Sequence, residues 1–569
     1  MLRVGKFITC FLAITLNFQI TLKAQDLKTA IRLTESEQYD AAHKAFEDLL
    51  VKEPLNGEAY FYYGESFLKQ YFVDSLAASL TDATKSALLY FNKGIEKVPG
   101  DPLNFVGAGR VDILLGKYAD AEANFQKAKD LMPLRGMKYS KSPISTAKQA
   151  LAYAKMAEAL LKNPNKKKEE LLDIIDNATE RDATVPEVYL IKGDIFLNTN
   201  DGSSAIVAYN KANDLDPKSC KAMVKIGQLW VRAKAYTDAL TCYKDAIAID
   251  SSFAPAYRER AELWGLAQQW DNGIKDYKKF IELSGNNFYA KVRYAAFLYM
   301  AKKYEECVTA IEELKTLDKD ALNKTYNYLN RLEAFSYFNL TNYQSALEAI
   351  KTFFQFTKPD KIMFDDYNYY GDIDSKLGNH EEAIERYLKA CEIDSTNFDI
   401  LSKIAKEYNT LKKYDDAAKV YEKKIKFDKA TTQDYYELAK VYMNLKKWVE
   451  ADTIFGMVLS IKPDFYNAIR YRAQVNTQID TTGEKGMAKK WYDKLISLAL
   501  KDSVKLIKDL VESYTYMRNY YLKQYLLDKK CDDDVKNTLL YCEKLLAIDP
   551  KDKDSGEFKT SLKQYCPYL

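Results

Sequence analysis

Convergent histidine, cysteine and carboxylate groups are the raw material of metal and acid–base chemistry, and this chain is short of the first two. It has two histidines, His43 and His380. His43 follows the small Ala42 and is expected on a helix surface; His380 falls in a turn, Gly378-Asn379-His380. Of eight cysteines, Cys10 lies in an N-terminal apolar stretch, leaving Cys220, Cys242, Cys307, Cys391, Cys531, Cys542 and Cys566. No two of these form a C-x-x-C pair, which argues against zinc and thioredoxin-like redox chemistry. Cys307 and Cys542 read as small apolar packers, and only Cys531, Cys542 and Cys566 lie close enough together to suggest a disulfide. Gly107-Ala108-Gly109 lacks the later glycine and the lysine of a phosphate loop and reads as close helix packing. Lys166-Lys167-Lys168 runs straight into Glu169-Glu170, which makes it a solvated helix start. The residues therefore supply no catalytic, cofactor-binding or metal-binding constellation, and the chain is not expected to be an enzyme.

The elements that would position any such site are helices. Across 569 residues there are only 21 glycines and 13 prolines, while 47% of residues are hydrophobic. A chain so poor in turn residues, with no low-complexity tract, is ordered and mostly helical. Its first residues differ. Arg3 and Lys6 precede an apolar run from Phe7 to about Leu22, followed by Lys23-Ala24-Gln25-Asp26, the order of a secretory signal peptide. Residues 1–24 are read as that signal, with the mature chain starting at Gln25. Cys10 sits inside the apolar run rather than after it, so it is no lipidation site. Signal removal takes away Arg3, Lys6 and Lys23, and the net charge falls from +3 to zero. A neutral chain with interspersed signs has no electrostatic footprint for nucleic acid or anionic lipid. No later run reaches the ~18–20 apolar residues of a membrane span.

Self-similarity then organises the rest. Gly193, Gly227, Ala261 and Ala295 recur every 34 residues, and so do Gly371, Ala405, Ala439 and Ala473. Twelve residues after seven of these eight comes another small residue: Ala205, Ala239, Gly273, Cys307, Ala383, Ala417 and Ala451. Four further on stands an aromatic or aliphatic one, among them Tyr209, Tyr243, Tyr277, Tyr387, Tyr421 and Phe455.

This pattern resembles the tetratricopeptide-repeat (TPR) family. The segment Gly193–Phe196 through Ala205–Ala212 to Asp216-Pro217 follows it closely, as do Tyr435 to Pro463 and Gln38 to Pro54. The resemblance implies an all-α solenoid, a right-handed superhelix of stacked antiparallel helix pairs with about 13–14 repeats. Residues 25–182 form an N-terminal array, with extra residues around 71–85 between the helices of its second repeat and a degenerate pair at 143–182. A regular array covers 183–317, a C-terminal array 318–550, and 551–569 is a capping segment. Spacings of 39 and 37 residues around Ala334 mark an irregular junction near 318–326. That junction and the degenerate pair are expected to be weak interfaces.

The same resemblance points to protein binding along the inner face, built from positions 2, 5, 9, 12 and 13 of each first helix. Residues Lys221, Gln228, Arg232, Arg258 and Glu262 make a mixed polar stretch there. Tyr289, Tyr299, Met300, Tyr328, Phe335 and Phe338 make an aromatic one, and Asp365, Asn368, Asp372, Lys376, Ser402, Lys406 and Asn409 turn polar again. The aromatic stretch is the candidate partner-binding segment, since exposed aromatic clusters with a polar rim mark interfaces. The alternative is that the irregular spacing buries these rings. A carboxylate clamp for chaperone tails is absent: Lys221 and Lys225 could supply its last pair, but Leu190 and Ile191 stand where the preceding repeat needs polar grips. The leading expectation is a non-catalytic scaffold of the bacterial cell envelope, periplasmic or on the periplasmic face of the outer membrane, binding protein partners and associating with outer-membrane assemblies. The alternative is a regulatory or adaptor subunit of an enzyme complex for cell-wall or surface-polysaccharide synthesis.

Overall fold

In the computed structural model, which describes residues 26–77, 79–530, 532–566 and 568, the repeat pattern becomes a contact pattern. Residues 1–24, expected to be a signal, lie outside the described residues. A Cβ added to Gly193 would stand 2.2 Å from the Tyr209 ring, and the same approach recurs at Gly227 with Tyr243 (2.4 Å) and Gly371 with Tyr387 (2.5 Å). The aromatic sixteen residues downstream thus fills the gap inside its own repeat. Ala205, Ala239 and Ala383 are fully buried in the second helices, where any larger side chain would force the pair apart. Between the two helices the chain reverses through one left-handed residue: Asn200, Lys234, Gln268 and Lys302 all have φ of 57–59°. That conformation ends a helix sharply by bonding its last free carbonyls.

Twenty-nine α-helices and three short 3-10 turns make up the secondary structure of the described residues, with no strand among them. Each helix packs chiefly on its sequence neighbours, as a solenoid requires. Two compact units result, one ending at Leu340 and the other beginning at Thr341. The irregular junction is visible inside the helix Tyr304–Lys324, which breaks at Asp318 (φ −157°, ψ 91°).

Two expectations need correction. The extra residues near 71–85 do not form a long connection: they lengthen Gly57–Val73 to 17 residues and Leu80–Lys97 to 18, leaving a short link. The pair at 143–182, helices Thr146–Leu160 and Lys168–Arg181, is not a weak interface either. Ala150, Ala154, Ala157, Ile175 and Ala178 belong to one continuous core running from Phe61 to Ile195. The pair departs from the repeat pattern because alanines do the close packing on several positions at once.

In the second unit the last pair is Ile507–Asp528 with Asp533–Ile548, closed by Lys553–Tyr565. Leu562 and Cys566 pack on Val535 there. Cys566 is disulfide-bonded, whereas Cys542 is a free, buried thiol.

Candidate interaction surface

In three of the first helices the ninth position carries an acid, Asp194, Glu262 or Asp372, and the stack decides what that charge does. Asp194 accepts from the Tyr209 hydroxyl of its own repeat at 2.7 Å and from Lys225 of the next repeat at 2.7 Å. Asp372 does the same with Tyr387 (2.8 Å) and Lys403 (2.6 Å), and Glu262 with Tyr277 and Arg293 (2.5 Å). A carboxylate, a tyrosine and a cation from the following repeat thus fix the register between repeats. The ladder skips the repeat at Cys220, where Gln228 replaces the acid. There the Tyr243 hydroxyl is buried without a hydrogen-bond partner.

A separate chain of ion pairs runs along the inner face of the first unit. Glu65 meets Arg110 at 2.6 Å, Arg110 meets Glu158 at 3.0 Å, and Glu158 meets Lys155 at 2.8 Å. Lys155 meets Glu187 at 2.6 Å, Glu187 reaches Lys221 at 3.8 Å, and Lys221 meets Glu35 at 2.5 Å. Glu65, Lys155 and Arg110 are buried. Burial pushes the Glu158 carboxyl upward, but Arg110 and Lys155 outweigh it and hold its pKa well below the usual carboxylate range. Glu187 is held low against the same burial cost by Lys155 and Lys221. Burial and the nearby Lys221 and Lys155 depress Lys69 on the same face.

The chain ends on Glu35 because the first unit curls back on itself. Its first repeat, helices Leu27–Glu35 and Tyr39–Lys52, docks on residues more than two hundred positions away. Glu37 pairs with Arg258, and Arg32 with Asp250 at 3.2 Å. Gln38 donates to the Leu283 carbonyl at 2.7 Å, and Asn287 to the Glu37 carbonyl at 3.1 Å. Tyr326 donates its hydroxyl to Asp74. Lys221 and Lys225, which could have supplied the last pair of a carboxylate clamp, are both taken by the protein's own acids.

The aromatic stretch is largely packed. Phe335 is 7% exposed, so the expectation of an open ring fails there; its ring centroid lies 6.5 Å from that of Tyr299. Tyr289, Tyr299 and Tyr328 lie half-buried against the core around Ala295, and Phe338 is half-buried too. Met300 alone of the six is exposed, at 52%. Helical spacing could not distinguish these cases, because the kink at Asp318 sets how far the next helix leans over the rings.

The two histidines are structural. His43 is not at the surface: its ring is half-buried, stacked on Phe67 with centroids 4.2 Å apart, and burial lowers its pKa. His380 Nδ1 lies 2.6 Å from buried Glu407, which also accepts from Ser375 at 2.7 Å. Burial pushes the thiols of Cys220, Cys242 and Cys307 up to about 11, which leaves them unreactive near neutrality. Among the described residues no three histidine, cysteine or carboxylate groups cluster to hold a metal ion, and no helix is long and apolar enough to cross a membrane.

Stacked helix pairs with a charged inner face define a helical-repeat solenoid of the kind that binds other proteins. Two tetratricopeptide-repeat models match residues 27–102 and 186–219, and a TPR-repeat model matches 371–408. The chain belongs to the tetratricopeptide-repeat family. No curated protein is similar enough to match it. Among solved structures, it is similar to the C-terminal part of a TPR repeat-containing protein from Cytophaga hutchinsonii, 28% identical over 47% of this chain and 98% of that one, TM-score 0.40. It is also similar to a tetratricopeptide repeat protein from Parabacteroides merdae (16% identity, 45% and 97% coverage, TM-score 0.31) and to yeast Tom70 (15%, 73% and 94%, TM-score 0.29). None of these scores is high enough to argue a shared overall shape. The family assignment stands on the repeat models and on the helix pairs themselves.

Proposed function

We propose that the protein is an exported, non-catalytic scaffold of the bacterial cell envelope that holds protein partners on the inner face of its second unit. The observation that carries this reading is the contrast between the two inner faces. In the first unit the charges are tied to one another from Glu65 to Glu35. In the second, Asp372 is tied to Lys403, but Asp365, Lys376, Lys406 and Thr410 are exposed on the helices Phe364–Leu377 and Asp399–Thr410. Between them Asn409 Oδ1 is buried without a hydrogen-bond partner. A polar, extended partner segment would find unspent hydrogen-bonding capacity there. Export is supported by the Arg3–Ala24 pattern and by the disulfide at Cys566, since disulfides persist in oxidising compartments.

Photo-crosslinking in intact cells tests both parts. A crosslinker at Lys406 should capture a discrete partner, one at Lys221 should not, and N-terminal sequencing of the purified chain should begin near Gln25. Capture through Lys221 and not Lys406 would reverse the assignment of faces. A retained Met1 would remove the export claim.

A further inference from the structure

Where the first unit closes, it leaves a cavity of about 430 Å³ whose wall is acidic. Glu37, Asp40, Asp74 and Asp318 line it, and its lining residues include no lysine, arginine or histidine. Glu37 is 4% exposed; one oxygen is spent on Arg258, while Oε2 is buried with no hydrogen-bond partner. Asp74, also buried, takes the Tyr326 hydroxyl and the Leu76 and Ala77 amides. Asp40 and Asp318 are exposed at the mouth, and Asp318 Oδ1 caps the Ala321 amide at 2.8 Å. Arg258, behind Glu37, is the one cation paired with any of these four acids among the described residues. Four of the ten other lining residues are aromatic: Tyr39, Phe288, Tyr289 and Tyr326.

Spread carboxylates of this kind do not suit a metal ion, which needs three or more donors within bonding distance of one point. They suit a cation whose charge sits at the end of a carbon chain, because aromatic faces attract an ammonium and cover its methylenes. The volume is that of a small-ligand site. We propose that this cavity binds a primary alkylammonium group, carried by a diamine or by a lysine side chain, and that the bound group bridges the first repeat to the segment Asp318–Tyr326. This does not rest on the proposed docking face of the second unit. Occupancy would stabilise the closed form by the ordinary linkage between binding and folding.

The test uses the full mature chain and three probes of similar length: cadaverine, N-acetyl-lysine amide and the neutral 1,5-pentanediol. Calorimetry should show saturable binding of at least one amine and none of the diol. Tighter binding of the lysine amide would assign the source to a protein, and tighter binding of cadaverine would assign it to a free amine. Asp40→Asn with Asp318→Asn changes only exposed groups and keeps the cap, since asparagine caps as well as aspartate. The pair should weaken binding about tenfold. Bound amine should also slow hydrogen exchange in Leu27–Lys52. The proposal is overturned if neither amine saturates, if the diol binds equally, or if the double variant leaves affinity unchanged.

Discussion

Arg258 and Glu37 are 221 residues apart in sequence and form an ion pair in which the glutamate side chain is 5% exposed and the arginine 15%. This pair fastens the first repeat to the seventh. Replacing one partner leaves a largely buried charge uncompensated, at a cost of ~2–5 kcal/mol. Arg258→Met should therefore lower the urea midpoint of the first unit and speed hydrogen exchange in Leu27–Lys52. Adding Glu37→Gln should recover part of the loss, because the orphaned charge goes with it. Strictly additive effects would mean that the two residues do not act as a pair.

Staged unfolding should follow the two compact units. Stability in a repeat protein is a sum of local and nearest-neighbour terms, and the first unit adds the closure contacts to that sum. Urea denaturation should give two transitions, each with an m-value smaller than one unit of the full length would show. Proteolysis during the first transition should cut near Leu340–Thr341 and spare the continuous core around Ala154 and Ile175. A single transition with the m-value of the whole chain would contradict this division.

Glu333 supplies a pH dependence with a definite sign. Its side chain is fully buried, and burial outweighs the attraction of Lys315, 2.5 Å away, so its pKa is raised to about 7. The folded state then binds the proton more tightly than the unfolded chain, whose glutamates titrate near 4.5. Stability falls as pH rises from about 4.5 to 7 and stays lower above that. The effect is at most about 3.4 kcal/mol. Glu333→Gln should flatten this slope when midpoints are compared between pH 5 and 8. His43, held neutral by burial, acts in the opposite sense below its unfolded value near 6.5, so the wild-type curve alone is not diagnostic. The difference between wild type and variant is.

Gly193→Ala should cost ~1–3 kcal/mol, the usual range for overpacking. The Tyr209 ring that it strikes cannot retreat freely, because its hydroxyl is held by Asp194 at 2.7 Å. Tyr209→Phe in the same chain releases the ring and should return part of the loss, a coupling that a double-mutant cycle reads directly. No coupling would show that the hydroxyl does not anchor the ring.

The repeat was legible in the sequence because its determinants are local. Small residues at Gly193 and Ala205, an aromatic at Tyr209 and a proline at Pro217 fix one helix pair whatever follows, and 34-residue spacing copies the instruction. The helices of residues 143–182 and the break near Asp318 were readable for the same reason. How the extra residues near 71–85 are used was not, because a longer spacing is equally met by a loop or by longer helices. The tertiary structure uses them to lengthen both helices.

The inner face was the harder case. Sequence position places Lys221, Arg258, Glu262 and Phe335 on it, and five of the six aromatic-stretch residues are at least half-buried. What each side chain does there depends on curvature, and curvature is the sum of small rotations between successive repeats. No single repeat encodes that sum. A slightly different rotation per repeat would leave Glu35 and Lys221 far apart, Glu37 without Arg258, and the acidic cavity open to solvent. Sequence by itself determined the helix pairs and their order, because those rest on contacts within about 34 residues. Closure of the first unit was decided only by tertiary structure, through contacts between residues 186 to 252 positions apart.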